Sequence, residues 1–240
     1  MFLWPVLRAS AAAPFGTQCR CRSAAAHRTM HVLATVATWA TLASADWAST
    51  TVANRSAGEQ LASQLEARLH PQNYSLESTH LEDIRSFFWW DGALQEEDEV
   101  RATIDSDVPF SVLLEGLSAD HPYDLPMIVS SAHLDSQEDH SSHKHAMALA
   151  LVNGTTMEVA HGLAKSIVEV KFAACAQVAK LKADSDSEFT ITLKTLGATK
   201  EQIEIEFGGL DWEWHPIQAN EKYLKWIEDN VVVRPHASEL

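Results

Sequence analysis

The sequence predicts an α+β fold in which one series of strands and helices occurs twice along the chain. Two segments, Ser56-Ala57-Gly58-Glu59 and Thr155-Thr156-Met157-Glu158, fit a capping box, in which a hydroxyl residue and an acid three positions later satisfy free amides at a helix start. A strand-like run precedes each box, at residues 48–53 and 146–152, and an apolar stripe at helical spacing follows it. The two segments lie about a hundred residues apart, which indicates an internal duplication.

The first copy continues with two strands, a helix and a last strand. The two strands are predicted near residues 83–90 and 99–105, and Asp91-Gly92 supplies the positive backbone angles of a tight hairpin turn between them. Pro109 suits a first helical turn, where its missing amide is not needed, so a helix is predicted from Pro109 to about Ala119. The last strand follows the proline-bounded segment His121–Pro126.

The second copy repeats this order with shorter connections. Strands are predicted at 175–182 and 188–195, a helix at 199–207 that ends at Gly208-Gly209, a final strand at 210–217 and a terminal helix at 223–231. Strand-helix-strand-strand-helix-strand is the ferredoxin-like (βαββαβ) order. The sequence therefore predicts two ferredoxin-like modules in tandem, after an N-terminal targeting segment.

Domain boundaries follow from the composition. We place the modules at residues 46–134 and 146–235, joined by a linker rich in histidine and acids at 135–145. Residues 1–45 contain arginines but no acidic residue, which is typical of a presequence for a mitochondrion or plastid. The apolar run after Met30 resembles a signal-peptide core, so translation from Met30 predicts the secretory pathway instead. The sequence does not decide between these compartments.

Charge and cysteine content restrict the function. The chain has 240 residues and a formal net charge of -15, which disfavours nucleic acid and anionic membrane surfaces as partners of the mature form. Cys175 is the only cysteine after residue 45, so a disulfide within the body of one chain is excluded. The sequence has no glycine-rich phosphate loop and no Gly-x-Ser-x-Gly motif, and we predict that the protein is not an enzyme.

Four short motifs resemble those of a known family. They are Phe88-Trp89-Trp90-Asp91-Gly92, His121-Pro122-Tyr123-Asp124-Leu125-Pro126, Phe172-Ala173-Ala174-Cys175 and Tyr223-Leu224-Lys225-Trp226. Together they resemble the CutA family of divalent-cation tolerance proteins. The resemblance implies non-enzymatic binding of copper or another divalent metal ion, a response to metal ions, and assembly of single modules into trimers. Here two modules share one chain.

The resemblance also implies metal ligands. Cys175 and His121 match family ligand positions, but they belong to different modules, and Glu213 stands where the second module lacks the family's His-Pro-Tyr segment. We therefore expect a composite pocket between the modules formed by Cys175, His121 and Glu213. A thiolate and an imidazole suit copper or zinc. The alternative is that both modules have lost metal binding and have only a structural role.

A second function class stays open at this point. The ferredoxin-like arrangement resembles that of PII-type signalling proteins, which implies a trimeric regulatory scaffold that binds a small molecule or a protein partner, with degenerate metal sites. In either case we expect a homo-oligomer, because association would pair the free strand edges and bury the exposed tryptophans. The linker histidines could bind a metal loosely, although ordering a loop is costly.

Overall fold

The computed structural model describes residues 46–131, 144–182 and 186–234, which form a mixed α/β unit. In chain order, the strands and α-helices of the described residues are β1 Asp46–Val52, α1 Arg55–Leu69, β2 Leu76–Trp90, β3 Ala93–Ser106, α2 Phe110–Asp120, β4 Ile128–Ser131, β5 His145–Asn153, α3 Met157–Glu169, β6 Cys175–Lys180, β7 Glu188–Leu196, α4 Lys200–Glu206, β8 Trp212–Ala219 and α5 Glu221–Asn230.

The eight strands form one closed barrel in the order β1-β3-β2-β6-β7-β5-β8-β4, with β4 paired back to β1. Every neighbouring pair is antiparallel. The predicted series of elements occurs twice, but the two halves share a single sheet and do not form two separate ones. Strands β2 and β6 join the halves on one side, with Phe88 opposite Cys175, and β4 and β8 join them on the other.

Closure of the sheet covers only part of the strand edges. The prediction of an oligomer relied partly on strand edges that lack a partner. In the described part of the chain each strand has a neighbour on both sides along at least part of its length, because the ends of the two half-sheets pair with each other. The long hairpin extends beyond this closed part: residues 93–99 of β3 pair only with β2, and residues 76–83 of β2 pair only with β3. These edges remain open to strands of another chain.

The helix starts differ by one or two residues from the predicted capping boxes. Helix α1 is capped by Asn54, whose side-chain oxygen accepts the amide of Ala57 at 3.0 Å, and not by Ser56. Helix α3 is capped by Thr156, whose hydroxyl accepts the amide of Val159, and not by Thr155. In both cases an extended residue just beside the predicted position has a suitable side chain, and the helix begins there.

The hairpin of β2 and β3 is longer than predicted. The two strands have 15 and 14 residues, and their pairing continues from the turn to Leu76 and Ser106. The turn itself confirms the prediction, since Asp91 and Gly92 have φ values of 51° and 77°. The corresponding strands of the second half, β6 and β7, have only 6 and 9 residues.

The outer face of the sheet is apolar and lies under the helices. Two clusters of buried side chains form there, one in each half. The first includes Ala48, Val52 and Ile104 with Leu61 and Leu65 of α1. The second packs against α3 and consists of Phe87, Ala148, Val152, Ala160, Ala164, Ile167, Val168, Phe172, Ala173, Ala176, Val178, Phe189, Ile191, Leu193 and Ile203. Phe87 belongs to the first half of the chain, so β2 completes the core of the second half.

The inner face of the sheet is much more polar. Because side chains alternate along a strand, the pairing registers place Glu99, Arg101, Gln177 and Lys194 on the face opposite the helices. Arg101 Nη1 donates to Thr192 Oγ1 at 3.2 Å, although β3 and β7 are not neighbours in the sheet. This bond crosses the barrel interior and confirms that the polar side chains share one enclosed space.

Several predictions lie outside the described residues. These are the targeting segment 1–45, residues 132–134 at the end of the first module, residues 135–143 of the linker, and residues 183–185 and 235 of the second module, so the domain boundaries and the compartment remain predictions. In the described ranges, none of the helices has the length and apolar character needed to cross a bilayer.

Candidate functional site

A pocket of about 600 Å³ lies at one end of the barrel interior. All four motifs singled out in the sequence contribute to it. Its walls come from the β2–β3 hairpin, the segment after α2, the start of β6, and helix α5. The lining residues are Thr51, Ser86, Phe88, Trp90, Asp91, Gln95, Glu97, Glu99, Pro122, Tyr123, Asp124, Leu125, Met127, Cys175, Gln177, Tyr223 and Trp226.

The aromatic run of β2 divides between the two faces of the sheet. Phe88 and Trp90 point to the inner face and line the pocket. Phe87 is buried in the apolar cluster on the outer face, and Trp89 Nε1 donates to the backbone oxygen of Val168 in α3 at 2.7 Å. Alternation along the strand therefore lets one short motif anchor the hairpin and form a ligand-facing wall.

A buried carboxylate lies in the floor of the pocket. Glu99 is 8% exposed, and Tyr123 donates its hydroxyl to Glu99 Oε1 at 3.2 Å. Burial raises the pKa of Glu99 above its ordinary value. Ser86 offsets part of that rise in pKa, since its buried hydroxyl lies close enough to Glu99 to act as a hydrogen-bond donor. The lone pairs of Ser86 Oγ stay available to a donor of a ligand.

The thiol of Cys175 lies opposite this carboxylate side, at the start of β6. Cys175 is a buried free cysteine, and its Sγ is 3.5 Å from the hydroxyl of Tyr223. Burial raises the pKa of the thiol, whereas the charge of Lys194, its partner across β6 and β7, lowers it. Lys194 is itself fully buried, its Nζ bonds Gln177 Oε1 at 3.4 Å, and burial lowers its pKa to about 8.

His121 does not point into the pocket in the way that the sequence predicts for a ligand. Its Nδ1 accepts the amide of Tyr123 at 3.1 Å, so Nε2 carries the proton and donates to Thr50 Oγ1 at 2.9 Å. Burial lowers the pKa of His121 to about 4. Both ring nitrogens fix the segment that carries Pro122 and Tyr123, and metal binding by this imidazole would require the loss of one of these bonds.

Glu213 lies on β8 and pairs with His215 Nε2 at 3.2 Å. Strands β7 and β5 separate β8 from the strand of Cys175, which corresponds to roughly 14 Å along the sheet. The structure therefore brings Cys175 to the pocket and places His121 beside it, but leaves Glu213 elsewhere. Within residues 46–131, 144–182 and 186–234, His, Cys, Asp and Glu side chains form no group of three or more that could hold a metal ion.

Sequence reasoning missed Glu99, Ser86 and Lys194 as members of the site. Glu99 ends the acidic run Glu96-Glu97-Asp98-Glu99, which looks like the exposed side of a hairpin, and Lys194 lies in an ordinary alternating strand. A signal was present, because Glu99 follows Glu97 at the two-residue spacing that places both on one face of a strand. Which face points inward depends on closure of the sheet, which is a property of the whole chain.

Fold and pocket together define a mixed α/β protein with a ligand-sized pocket that is lined by acids, aromatic rings and one thiol. Residues 47–143 match the family described as CutA1 divalent ion tolerance protein. A curated relative, the divalent-cation tolerance protein CutA of Pyrococcus horikoshii, is 34% identical over 62 residues, which are 25% of this chain and 61% of the relative. Residues 47–143 of this chain are therefore similar to the CutA1 family, and the chain spans less than two thirds of that relative's length.

Solved structures similar to this chain carry the same family name. The periplasmic divalent cation tolerance protein CutA of Archaeoglobus fulgidus is 19% identical, with 40% of this chain and 88% of that chain covered and a TM-score of 0.33. CutA1 of Oryza sativa is 26% identical, with 36% of this chain and 76% of that chain covered and a TM-score of 0.31.

Proposed function

We propose that the protein is a non-enzymatic CutA-like divalent cation tolerance protein, which binds copper or another soft divalent metal ion and takes part in the response to such ions. One observation carries the proposal. The four motifs that resemble the family lie far apart in the sequence, and all of them line the pocket that contains the thiol of Cys175. A pocket assembled from these motifs is the natural place for the family's activity.

The chemistry of the donors supports an exchangeable ion and not a tightly held one. A thiolate prefers copper or zinc over magnesium or calcium. Glu99 is a candidate for a second ligand, since it lines the same pocket and its charge raises the pKa of the Cys175 thiol. Without a group of three ligands among the described residues, we expect weak binding that suits an ion passing through the protein as cargo.

Binding by Cys175 should depend on pH. The metal ligand is the thiolate, and burial raises the pKa of this thiol, so each binding event must release a proton. We therefore expect the affinity for zinc or copper to rise as the pH rises through the neutral range.

The test is equilibrium dialysis of the full chain against zinc or copper, followed by elemental analysis. Cys19 and Cys21 are first changed to Ser, so that Cys175 is the only thiol. In this background, Cys175→Ser should abolish retained metal, whereas changing His133 at the end of the first module and His140 and His143 of the linker to Ala should not. Metal retention that is unchanged by Cys175→Ser would refute the proposed site.

The same dialysis decides the roles of the other predicted ligands. A loss of metal in His121→Gln or Glu213→Gln would support the predicted composite site of Cys175, His121 and Glu213, since neither variant removes the thiol. Retained metal in both variants, together with loss in Cys175→Ser, would assign the site to the motif-lined pocket alone.

We further propose that the chain forms a homo-oligomer through exposed faces of the closed unit. Several large apolar side chains support this, since Ile205 is 68% exposed and Trp90 is 48% exposed. Tandem ferredoxin-like modules would then be the repeated units of the assembly. Mass measurement in solution at micromolar concentration should give a multiple of the chain mass, and a monomer would contradict this part of the proposal.

A further inference from the structure

The motif-lined pocket has a second property that metal binding does not explain. Its volume of about 600 Å³ is that of a small-molecule site and far exceeds the need of one metal ion. Its lining contains four carboxylates, Asp91, Glu97, Glu99 and Asp124, and among its described lining residues none is Lys, Arg or His. Acidic lining in a partly closed space attracts cations of any kind.

Aromatic rings form much of the remaining wall. Phe88 and Trp90 come from the hairpin, and Trp226 stacks on Tyr223 with ring centroids 5.4 Å apart. Faces of tryptophan and tyrosine attract ammonium groups, and their apolar surface packs against the carbon body of a ligand. A hydrated metal ion would gain little from these rings.

The floor of the pocket adds a buried hydroxyl. Ser86 is 2% exposed and lies on the inner face opposite Glu97, close enough to Glu99 to lower the pKa of that carboxyl as a hydrogen-bond donor does. A hydroxyl that donates its proton keeps its lone pairs, so Ser86 Oγ can accept an N–H group of a ligand. The neighbouring Glu99 carboxylate can accept further N–H groups besides the Tyr123 hydroxyl.

We propose that this pocket binds a small organic ammonium ion, with its charged nitrogen between Ser86, Glu97 and Glu99 and its apolar body against Phe88, Trp90 and Trp226. The inference does not rest on the proposed metal function. Lys194 limits how deep the cation enters, because this lysine lies behind Gln177 and would repel a positive charge. The ammonium group therefore stays on the carboxylate side of the pocket, away from the thiol.

The test uses benzylammonium as the probe, with titration followed by tryptophan fluorescence and calorimetry. We expect one bound benzylammonium per chain, and at least tenfold weaker binding of benzyl alcohol and benzoate, which have the same ring without the positive charge. Equal binding of benzyl alcohol would overturn the proposal. Equal binding of tetramethylammonium, which has no N–H group, would overturn the placement of the nitrogen at Ser86 and Glu99.

Variants locate the site. Glu99→Gln should weaken binding of benzylammonium about tenfold to a hundredfold, as expected for a lost hydrogen bond to a charged group. Glu97→Gln, at an exposed position of the rim, tests the same idea if the first variant does not fold. Glu59→Gln, an exposed carboxylate on α1, is the matched control and should leave the affinity unchanged. Unchanged affinity in both pocket variants would overturn the proposal.

The metal proposal and the ammonium proposal for this pocket can be refuted independently of each other. Cys175→Ser should abolish retained zinc or copper and leave the affinity for benzylammonium within about twofold, because the thiol is not among the groups that contact the nitrogen. Loss of both ligands in Cys175→Ser would contradict the placement of the ammonium ion away from the thiol.

Discussion

The outer face of the closed sheet carries alanine, valine, leucine and phenylalanine under the helices, whereas the inner face carries Glu99, Arg101, Gln177 and Lys194. Both faces are buried, but in different ways. The outer face is covered by α-helices, mostly of the same half of the chain, although Phe87 of β2 packs against α3 of the second half. The inner face is enclosed only because the two halves pair along β2–β6 and β4–β8.

This difference separates stability from function in the molecule. The outer face uses side chains that gain free energy from leaving water, and it accounts for the two apolar clusters. The inner face keeps charged and amide groups that are costly to bury. Such groups are retained in a pocket that binds ligands, since binding requires polar contacts that a packed core does not provide.

The largest effect that would test this difference between the two faces is expected for the neighbouring residues Phe87 and Phe88. Phe87→Ala should lower the free energy of unfolding by about 3–4 kcal/mol, because Phe87 is buried in the apolar cluster of the second half. Phe88→Ala removes the same atoms from the pocket wall and should cost less than about 2 kcal/mol while weakening ligand binding. Urea unfolding of both variants gives the comparison, and equal losses would show that the two faces do not differ.

A second test concerns the buried ammonium group of Lys194. In a Cys175→Ser background, Lys194→Met should raise the free energy of unfolding at pH 7 by about 3 kcal/mol, because it removes a charge that the fold keeps out of water. The pKa of Lys194 is lowered by burial from 10.5 to about 8, so the folded protein releases this proton before the unfolded chain does. Stability of the parent therefore rises between pH 8 and pH 10.5, and the advantage of the Met variant disappears over that range.

Urea unfolding from pH 7 to pH 10.5 measures this effect. Lys225→Met is the control, since Lys225 is exposed and forms only a surface ion pair with Asp229. That variant should change the free energy of unfolding by less than about 0.5 kcal/mol. Parallel pH profiles for the parent and Lys194→Met would contradict a charged lysine on the inner face.

The smallest effect is expected for His121, which ties the pocket segment to β1. Burial lowers the pKa of this imidazole from 6.5 to about 4, so the unfolded chain takes up a proton before the folded protein does. The contribution of His121 to the free energy of unfolding is fully present above pH 6.5 and is lost as the pH falls towards 4. Between these values the parent should lose on the order of 1–2 kcal/mol more than His121→Gln, after allowance for partial exposure.

Acid titration followed by circular dichroism measures the difference. His80→Gln is the matched control for loss of a histidine, because His80 is exposed on β2. A His121→Gln variant with the same acid sensitivity as the parent would show that the two ring hydrogen bonds do not stabilise the segment.

Local patterns predicted most elements of the fold. The Asp91-Gly92 turn, the strand from Cys175 and the helix after Pro109 follow from turn chemistry, alternation and the special backbone of proline, which act within a few residues. Helix caps were missed by one or two residues, because several side chains near each start are able to accept the same amide. At the candidate site, the sequence predicted Cys175, His121 and Glu213. Of these, Cys175 lines the pocket, whereas His121 and Glu213 do not, and the sequence did not predict Glu99, Ser86 or Lys194.

By itself, the sequence determined the series of strands and helices, the duplicated pattern and the motifs that resemble the CutA1 family. The tertiary structure alone decided that the two half-sheets close on each other, that Phe88 and not Phe87 faces the pocket, and that Cys175 and Glu99 line one pocket. The physical reason is the range of the interactions. Backbone preferences and hydrophobic periodicity are local, whereas the register between β2 and β6 depends on residues almost a hundred positions apart.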